Sequence, residues 1–163
     1  MNVLLVRVDD RFIHGQILES WIPFLKAQSV VVVNDALACD HFQKTIMSMA
    51  IPERIALRIV PVDEAVGLSD DADLDEKRTL VIVSSIKDAY LLFMKGFIFM
   101  KLNIGNNKGS EGAKQISYSV WIDEEDLDIL EVEVDVSQAN SPFTDGGKSL
   151  IHLTLLDRRD VLL

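Results

Sequence analysis

The stretch Val6–Ile17, VRVDDRFIHGQI, decides how the whole chain is read. An aliphatic run that begins at Asn2, NVLLVRV, ends in two acids and an arginine. A histidine and a glycine follow, and then a helical pattern. A run that is apolar on nearly every residue predicts a strand covered on both faces. Beyond it, Ile17, Leu18, Trp21, Ile22 and Leu25 recur on one side at the 3.6-residue period, which predicts a helix over Gln16–Ala27. Pro23 lies inside that helix and predicts a kink or an early end. His14 therefore belongs to a strand-to-helix loop.

Working outward, the same alternation repeats. SVVVVN (Ser29–Asn34) reads as a second buried strand. Residues Cys39–Ala50 read as a helix with Phe42, Ile46, Met49 and Ala50 on one stripe, stopped by Pro52. IALRIV and TLVIVS read as the third and fourth strands, with a short helix in PVDEAVGL between them. After TLVIVS comes a helix that Ser85 caps, Asp88 supports three residues on, and Gly96 closes. IFMKLNI reads as a fifth strand running into GNNKGSEG, and QISYSVWI as a sixth. Asp123 caps a short acidic helix. VEVDVSQ alternates strictly, as a half-exposed strand does. The tail from residue 140 to 163 carries little pattern, although SLIHLTLL reads as one more strand.

These elements predict one α/β domain over residues 1–163. Its mostly parallel, doubly covered central sheet has about seven strands, with helices on both faces. Right-handed crossovers then bring every strand-to-helix loop to one edge, where ligands bind in such sheets. The loops carrying His14, Asn34 with Asp35, and Asn103 with Gly105 open toward that edge.

Composition narrows the function classes. A formal net charge of −10 argues against nucleic acid, whose backbone demands clustered Lys and Arg. The single cysteine, Cys39, forbids an internal disulfide and a multi-cysteine metal site, and suits a reduced, cytosolic setting. No apolar run reaches the ~18 residues a membrane span requires. The opening MNVLLVRVDD lacks the basic region and cleavage site of a signal peptide. No ligand spacing supports a metal, and no phosphate-loop, nucleophile-elbow or dinucleotide fingerprint implies a cofactor.

Of the three histidines, His41 falls in the first turn of an amphipathic helix and His152 in the tail strand. His14 differs by its place. The start of a helix offers free backbone N–H groups and a favourable dipole to an anion. Gly15 lets the backbone approach a ligand, and the guanidinium of Arg11 can bind two phosphate oxygens. An imidazole there can attack phosphorus. Asp9 or Asp10 can fix the ring's tautomer, or hold Arg11 instead. On spacing alone, a loop histidine that only bonds a backbone carbonyl fits equally well.

These residues resemble a known family. RVDDRFIHGQILESW resembles the signature of the IIB component of the mannose/fructose/sorbose class of the bacterial sugar phosphotransferase system. VVVVNDALACDHFQKTIMSMAIP and KLNIGNNKG continue the resemblance, which runs from Val3 to about Val136. It implies a cytoplasmic phosphocarrier, a protein-phosphohistidine–sugar phosphotransferase without cofactor or metal. His14 would take a phosphoryl group from a phosphorylated IIA protein and pass it to a sugar bound by the membrane IIC and IID subunits. Asp10, Arg11, Gly15 and Gln16 would bind or orient the phosphoryl group. The resemblance implies a cytoplasmic location, peripheral to the inner membrane through the permease, and is compatible with a homo-oligomer. The tail does not match the family's ending, so a regulatory phospho-acceptor uncoupled from sugar transport stays open. A non-catalytic domain that binds a small anion through the same loops stays open too.

Overall fold

The computed structural model describes residues 1–109, 112–130 and 151–153, the last three as backbone. Strand β1 (Asn2–Asp9) and strand β2 (Ser29–Val33) are apolar enough to be covered on both faces, and in β2 every residue is buried. Between them lies helix α1. It opens with a π-turn over Ile17–Trp21 and continues as an α-turn over Ile22–Leu25. The Ile22 N–H reaches back five residues to the Ile17 carbonyl. Pro23 follows, and it has no N–H to continue the ladder. The helix ends at Leu25 rather than Ala27, because Lys26 turns left-handed with φ 49°.

The helix expected over Cys39–Ala50 is two helices, α2 (Asp35–Cys39) and α3 (His41–Ala50). Asp40 separates them and caps the second by accepting from the Gln43 N–H at 2.9 Å. The expected stripe faces outward. Phe42, Ile46 and Met49 are 75%, 51% and 82% exposed, while Met47 and Ile51 fill the core. Met47 and Ile51 are one turn apart on the opposite side of the helix, so only one of the two sets can face the sheet.

Strand β3 (Ala56–Val60), helix α4 (Val62–Ala65), strand β4 (Arg78–Val83), helix α5 (Ile86–Met94) and strand β5 (Leu102–Asn106) follow. Ser85 caps α5 by accepting from the Asp88 N–H at 3.1 Å, and Gly96 closes it with φ 94°. The sheet order is β3-β2-β4-β1-β5-β8. The first five strands are parallel, and β8 (Ile151–Leu153) pairs antiparallel with β5. The expected seven-strand sheet is thus five parallel strands with one short antiparallel edge. QISYSVWI does not join it. It folds on itself as a hairpin, β6 (Lys114–Ser117) and β7 (Val120–Ile122), before helix α6 (Glu124–Leu130). VEVDVSQ lies outside the described residues, as does most of the tail.

Side chains of alternate strand residues sort into two cores. Leu5, Val30, Val32, Leu80 and Ile82 pack under α1 to α3, with Trp21, Ile22, Leu37 and Met47. Val6, Val8, Val31, Val33, Val81 and Val83 pack under α4 and α5, with Val62, Ala65, Ile86 and Leu92. β1 and β4 are neighbours whose following helices leave to opposite faces. The mouth between such strands is where doubly wound sheets bind ligands, and the loop carrying His14 opens there.

Candidate functional site around His14

The site starts inside β1. Residues 5, 7 and 9 point to the face that α1 covers, and two of them are charged. Arg7 is 1% exposed, and its guanidinium lies 4.7 Å from the centre of the Trp21 ring. It donates through Nη1 to Asn103 Oδ1, and through Nε and Nη2 to Asp9 Oδ2 at 3.2 and 2.8 Å. β5 makes room for it. The β1–β5 register slips after Val8, so that Val8 pairs with Ile104 and Asp9 with Asn106. Gly105 sits in that bulge, and a Cβ there would come within 1.9 Å of the guanidinium.

Asp9 is wholly buried and gathers the rest. Its Oδ1 accepts from the Arg11 N–H at 3.3 Å and from Arg11 Nε at 3.1 Å; its Oδ2 faces His14 Nε2 at 3.1 Å. Burial is the largest influence on this carboxyl and pushes its pKa up. The hydrogen bond from His14, the charge of Arg7 and the hydrogen bond from Arg11 outweigh burial and hold it well below the usual carboxylate range. Asp9 is therefore an anion in the folded protein.

The turn that delivers Arg11 and His14 to Asp9 is strained. The Phe12 N–H bonds the Asp9 carbonyl at 3.1 Å, and Phe12 itself has φ 53°, unusual for a bulky residue. Its side chain is held against the core under α1. Such strain persists only where packing enforces it.

His14 is 19% exposed and Arg11 48%. With Nε2 turned inward to Asp9, Nε2 carries the proton and Nδ1 the lone pair. Nδ1 has no hydrogen-bond partner among the described residues. The Ile17 and Leu18 N–H groups bond the His14 carbonyl at 2.9 and 3.1 Å, so Gly15 and Gln16 open the helix ahead of its ladder. A Cβ on Gly15 would meet nothing within 4 Å, so protein packing does not require glycine there. Gln16 is exposed beside it.

The remaining expected residues are placed differently. Of the two acids left open by spacing, Asp9 holds the ring. Asp10 turns to the loop after β5, where it accepts from Asn106 Nδ2 and faces Lys108 Nζ at 3.3 Å. Asn34 caps α2 by accepting from the Leu37 N–H at 2.8 Å and donates to Ser84 Oγ at 3.2 Å. Asp35 accepts from the Val62 N–H at 2.8 Å. Both lie on the same sheet edge as His14 but hold neighbouring loops. Asn103 and Gly105 belong to the Arg7 bed rather than to the open side. Sequence reading missed Arg7 and the Trp21 ring above it. The available signal was a charge inside an otherwise apolar strand, two residues from Asp9 and on the same face.

Fold and site define a class: a doubly wound α/β protein with one carboxylate-oriented histidine at the mouth between its central strands. Residues 3–136 match the profile of the sorbose-subfamily IIB component of the sugar phosphotransferase system. The sorbose-specific EIIB component of Klebsiella pneumoniae is 28% identical over 142 residues, covering 83% of this chain and 87% of that one. The mannose-specific EIIAB component of Escherichia coli K12 is 26% identical and is aligned over 40% of its own length. The crystal structure of an N-acetylgalactosamine IIB component from Streptococcus pyogenes superposes with a TM-score of 0.74 at 30% identity, over 80% of each chain. The chain belongs to this family, the sorbose and mannose class of phosphotransferase IIB components, whose members are phosphotransferases in general.

Proposed function

We propose that His14 is the phosphoryl carrier of this IIB component. It takes the group from a phosphohistidine on a IIA protein and passes it to a sugar held by a membrane IIC/IID permease. The observation that carries this reading is the asymmetry of the ring. Nε2 is tied to a buried anion that Arg11 shares through its other oxygen, while Nδ1 has no hydrogen-bond partner among the described residues.

The chemistry follows. The Nδ1 lone pair attacks phosphorus in line with the donor's P–N bond. As that bond breaks, its electron pair returns to the donor imidazole. The positive charge that forms on His14 is shared through Nε2–H with Asp9, and Arg11 together with the Gly15 and Gln16 amides meets the phosphoryl oxygens. In the second step a sugar hydroxyl attacks phosphorus, loses its proton to a base, and the P–N electron pair returns to Nδ1. A cage of metal charge would hold the phosphoryl group too tightly to release it; one guanidinium and a helix end are milder. No helix among the described residues is long and apolar enough to cross a membrane. This supports a cytoplasmic location, with membrane contact made through the permease.

The test is transfer from a phosphorylated IIA donor, read as an acid-labile mass gain of about 80 Da. The native chain gains it and His14→Ala does not. Uptake by His14→Ala at the native rate overturns the assignment.

A further inference from the structure

We propose that Arg7 is a positioning residue for phosphoryl transfer: a fixed cation behind Asp9 that competes with the His14 ring for one carboxylate oxygen, and so limits how strongly Asp9 draws a second proton onto the ring. This part rests on the reading of His14 as the carrier, and it gives a task to a buried charge that touches neither the phosphoryl group nor a partner.

The shared atom is Oδ2 of Asp9. Arg7 Nη2 lies 2.8 Å from it and His14 Nε2 3.1 Å, so the two nitrogens are no more than about 6 Å apart. Arg7 Nε reaches the same oxygen at 3.2 Å. The guanidinium is held in place. It is 1% exposed, donates through Nη1 to the wholly buried Asn103, and lies against the Trp21 ring and the bulge at Gly105. Burial opposes its charge, and Asp9 offsets that opposition. A methionine fills such a space without the cost of desolvating a cation. Volume alone therefore does not call for an arginine there.

Arg11 also bonds Asp9 but cannot take this part. It is 48% exposed, so solvent screens it, and in the proposed reaction the phosphoryl oxygens draw it away. Arg7 is the cation that stays. Other charged groups of the surrounding elements are engaged elsewhere. Asp10 is held by Asn106 and Lys108 of the loop after β5, Asp35 accepts from the Val62 N–H, Asp88 of α5 accepts from Ser84 Oγ, and Glu19 of α1 is exposed.

An anion at Asp9 favours the imidazolium form of His14, which has no lone pair left to attack phosphorus. A cation within about 6 Å opposes that second proton. With Arg7 in place the ring stays a nucleophile to lower pH, and Asp9 remains an anion that orients Nε2–H.

Imidazole resonances of the unphosphorylated full chain, followed by NMR from about pH 5 to about pH 9, test this without any phosphoryl transfer. Arg7→Met and Arg7→Gln remove the charge; Arg7→Lys keeps it. In both neutral variants the His14 ring takes its second proton about one pH unit higher than in the native chain, and in Arg7→Lys within about 0.3 of native. His41, exposed on α3, is unmoved in all of them. Uptake from a phosphorylated IIA donor shows the same displacement. The acid limb of the pH–rate profile moves up in the neutral variants, where uptake is about tenfold slower, and the alkaline plateau stays within about threefold of native. A role in packing alone lowers the rate at every pH and leaves the titration where it was. Circular dichroism checks that each variant is folded. A native-like His14 titration in a folded neutral variant overturns the proposal, as does a displacement in Arg7→Lys as large as theirs. Failure of both neutral variants to fold assigns Arg7 to the fold and overturns it too. A native chain that takes up no phosphoryl group at His14 overturns the carrier reading instead, and leaves the NMR displacement in place.

Discussion

Asp9 receives Arg7, Arg11 and His14 on two oxygens, so its charge cannot be removed without disturbing all three. Asp9→Asn keeps the shape and leaves the buried Arg7 without its anion. Breaking a buried pair in this way costs about 3 kcal/mol, read as a lower urea midpoint. Transfer to His14 falls by about 100-fold or more, because the ring loses both its orientation and its anionic partner. Arg11→Lys keeps a charge at a half-exposed site but loses the fork. Its expected signature is a transfer rate about tenfold lower with little change in the urea midpoint. Acid tests the same residue from another side. The carboxyl of Asp9 is depressed on folding, so its stabilising contribution is complete above the unfolded value of about 4. That contribution is lost as pH falls below this value toward the folded one. Urea midpoints between pH 7 and pH 2 should drop steeply below about pH 4, and Asp9→Asn should flatten that drop.

Two glycines separate the roles of the elements that build the site. Gly105 occupies the β5 bulge against the Arg7 guanidinium. Gly105→Ala must displace a buried cation and is expected to destabilise by about 2 kcal/mol or more. Gly15 opens α1 with nothing beside it. Gly15→Ala should leave the melting temperature unchanged or slightly raised, since alanine favours a helix by about 0.5–1 kcal/mol. It should nevertheless slow phosphoryl transfer by crowding the approach to the helix end. A fall in stability on Gly15→Ala would show that the glycine serves the fold instead. α3 illustrates how an element's rotation is set. The apolar residues of HFQKTIMSMA fall on two sides, and period alone favours the larger set, Phe42, Ile46 and Met49. The sheet takes Met47 and Ile51.

At the scale of the molecule, a net charge of −10 is spread over a fold whose working edge carries Arg11 and Lys108. Self-repulsion lowers stability at low ionic strength and screening relieves it. Melting temperature should rise by a few degrees between about 20 and 500 mM NaCl, a change on the order of 1 kcal/mol.

The sequence by itself determined the α/β class, the alternation of buried strands and helices, and the edge at which His14 and Asn34 emerge. Local periodicity and capping carry that information, as Ser85, Asp123 and Gly96 show. Val30–Val33 could be nothing but a strand covered on both faces. Tertiary structure alone decided which acid holds the histidine, what Arg7 does, which face of α3 is covered, and that residues 114–122 pair with each other rather than with the sheet. Each of these depends on what lies across from a residue rather than beside it. Asp9 and Asp10 are chemically equal neighbours, and only the pleat of β1 sends one toward α1 and the other toward the loop after β5.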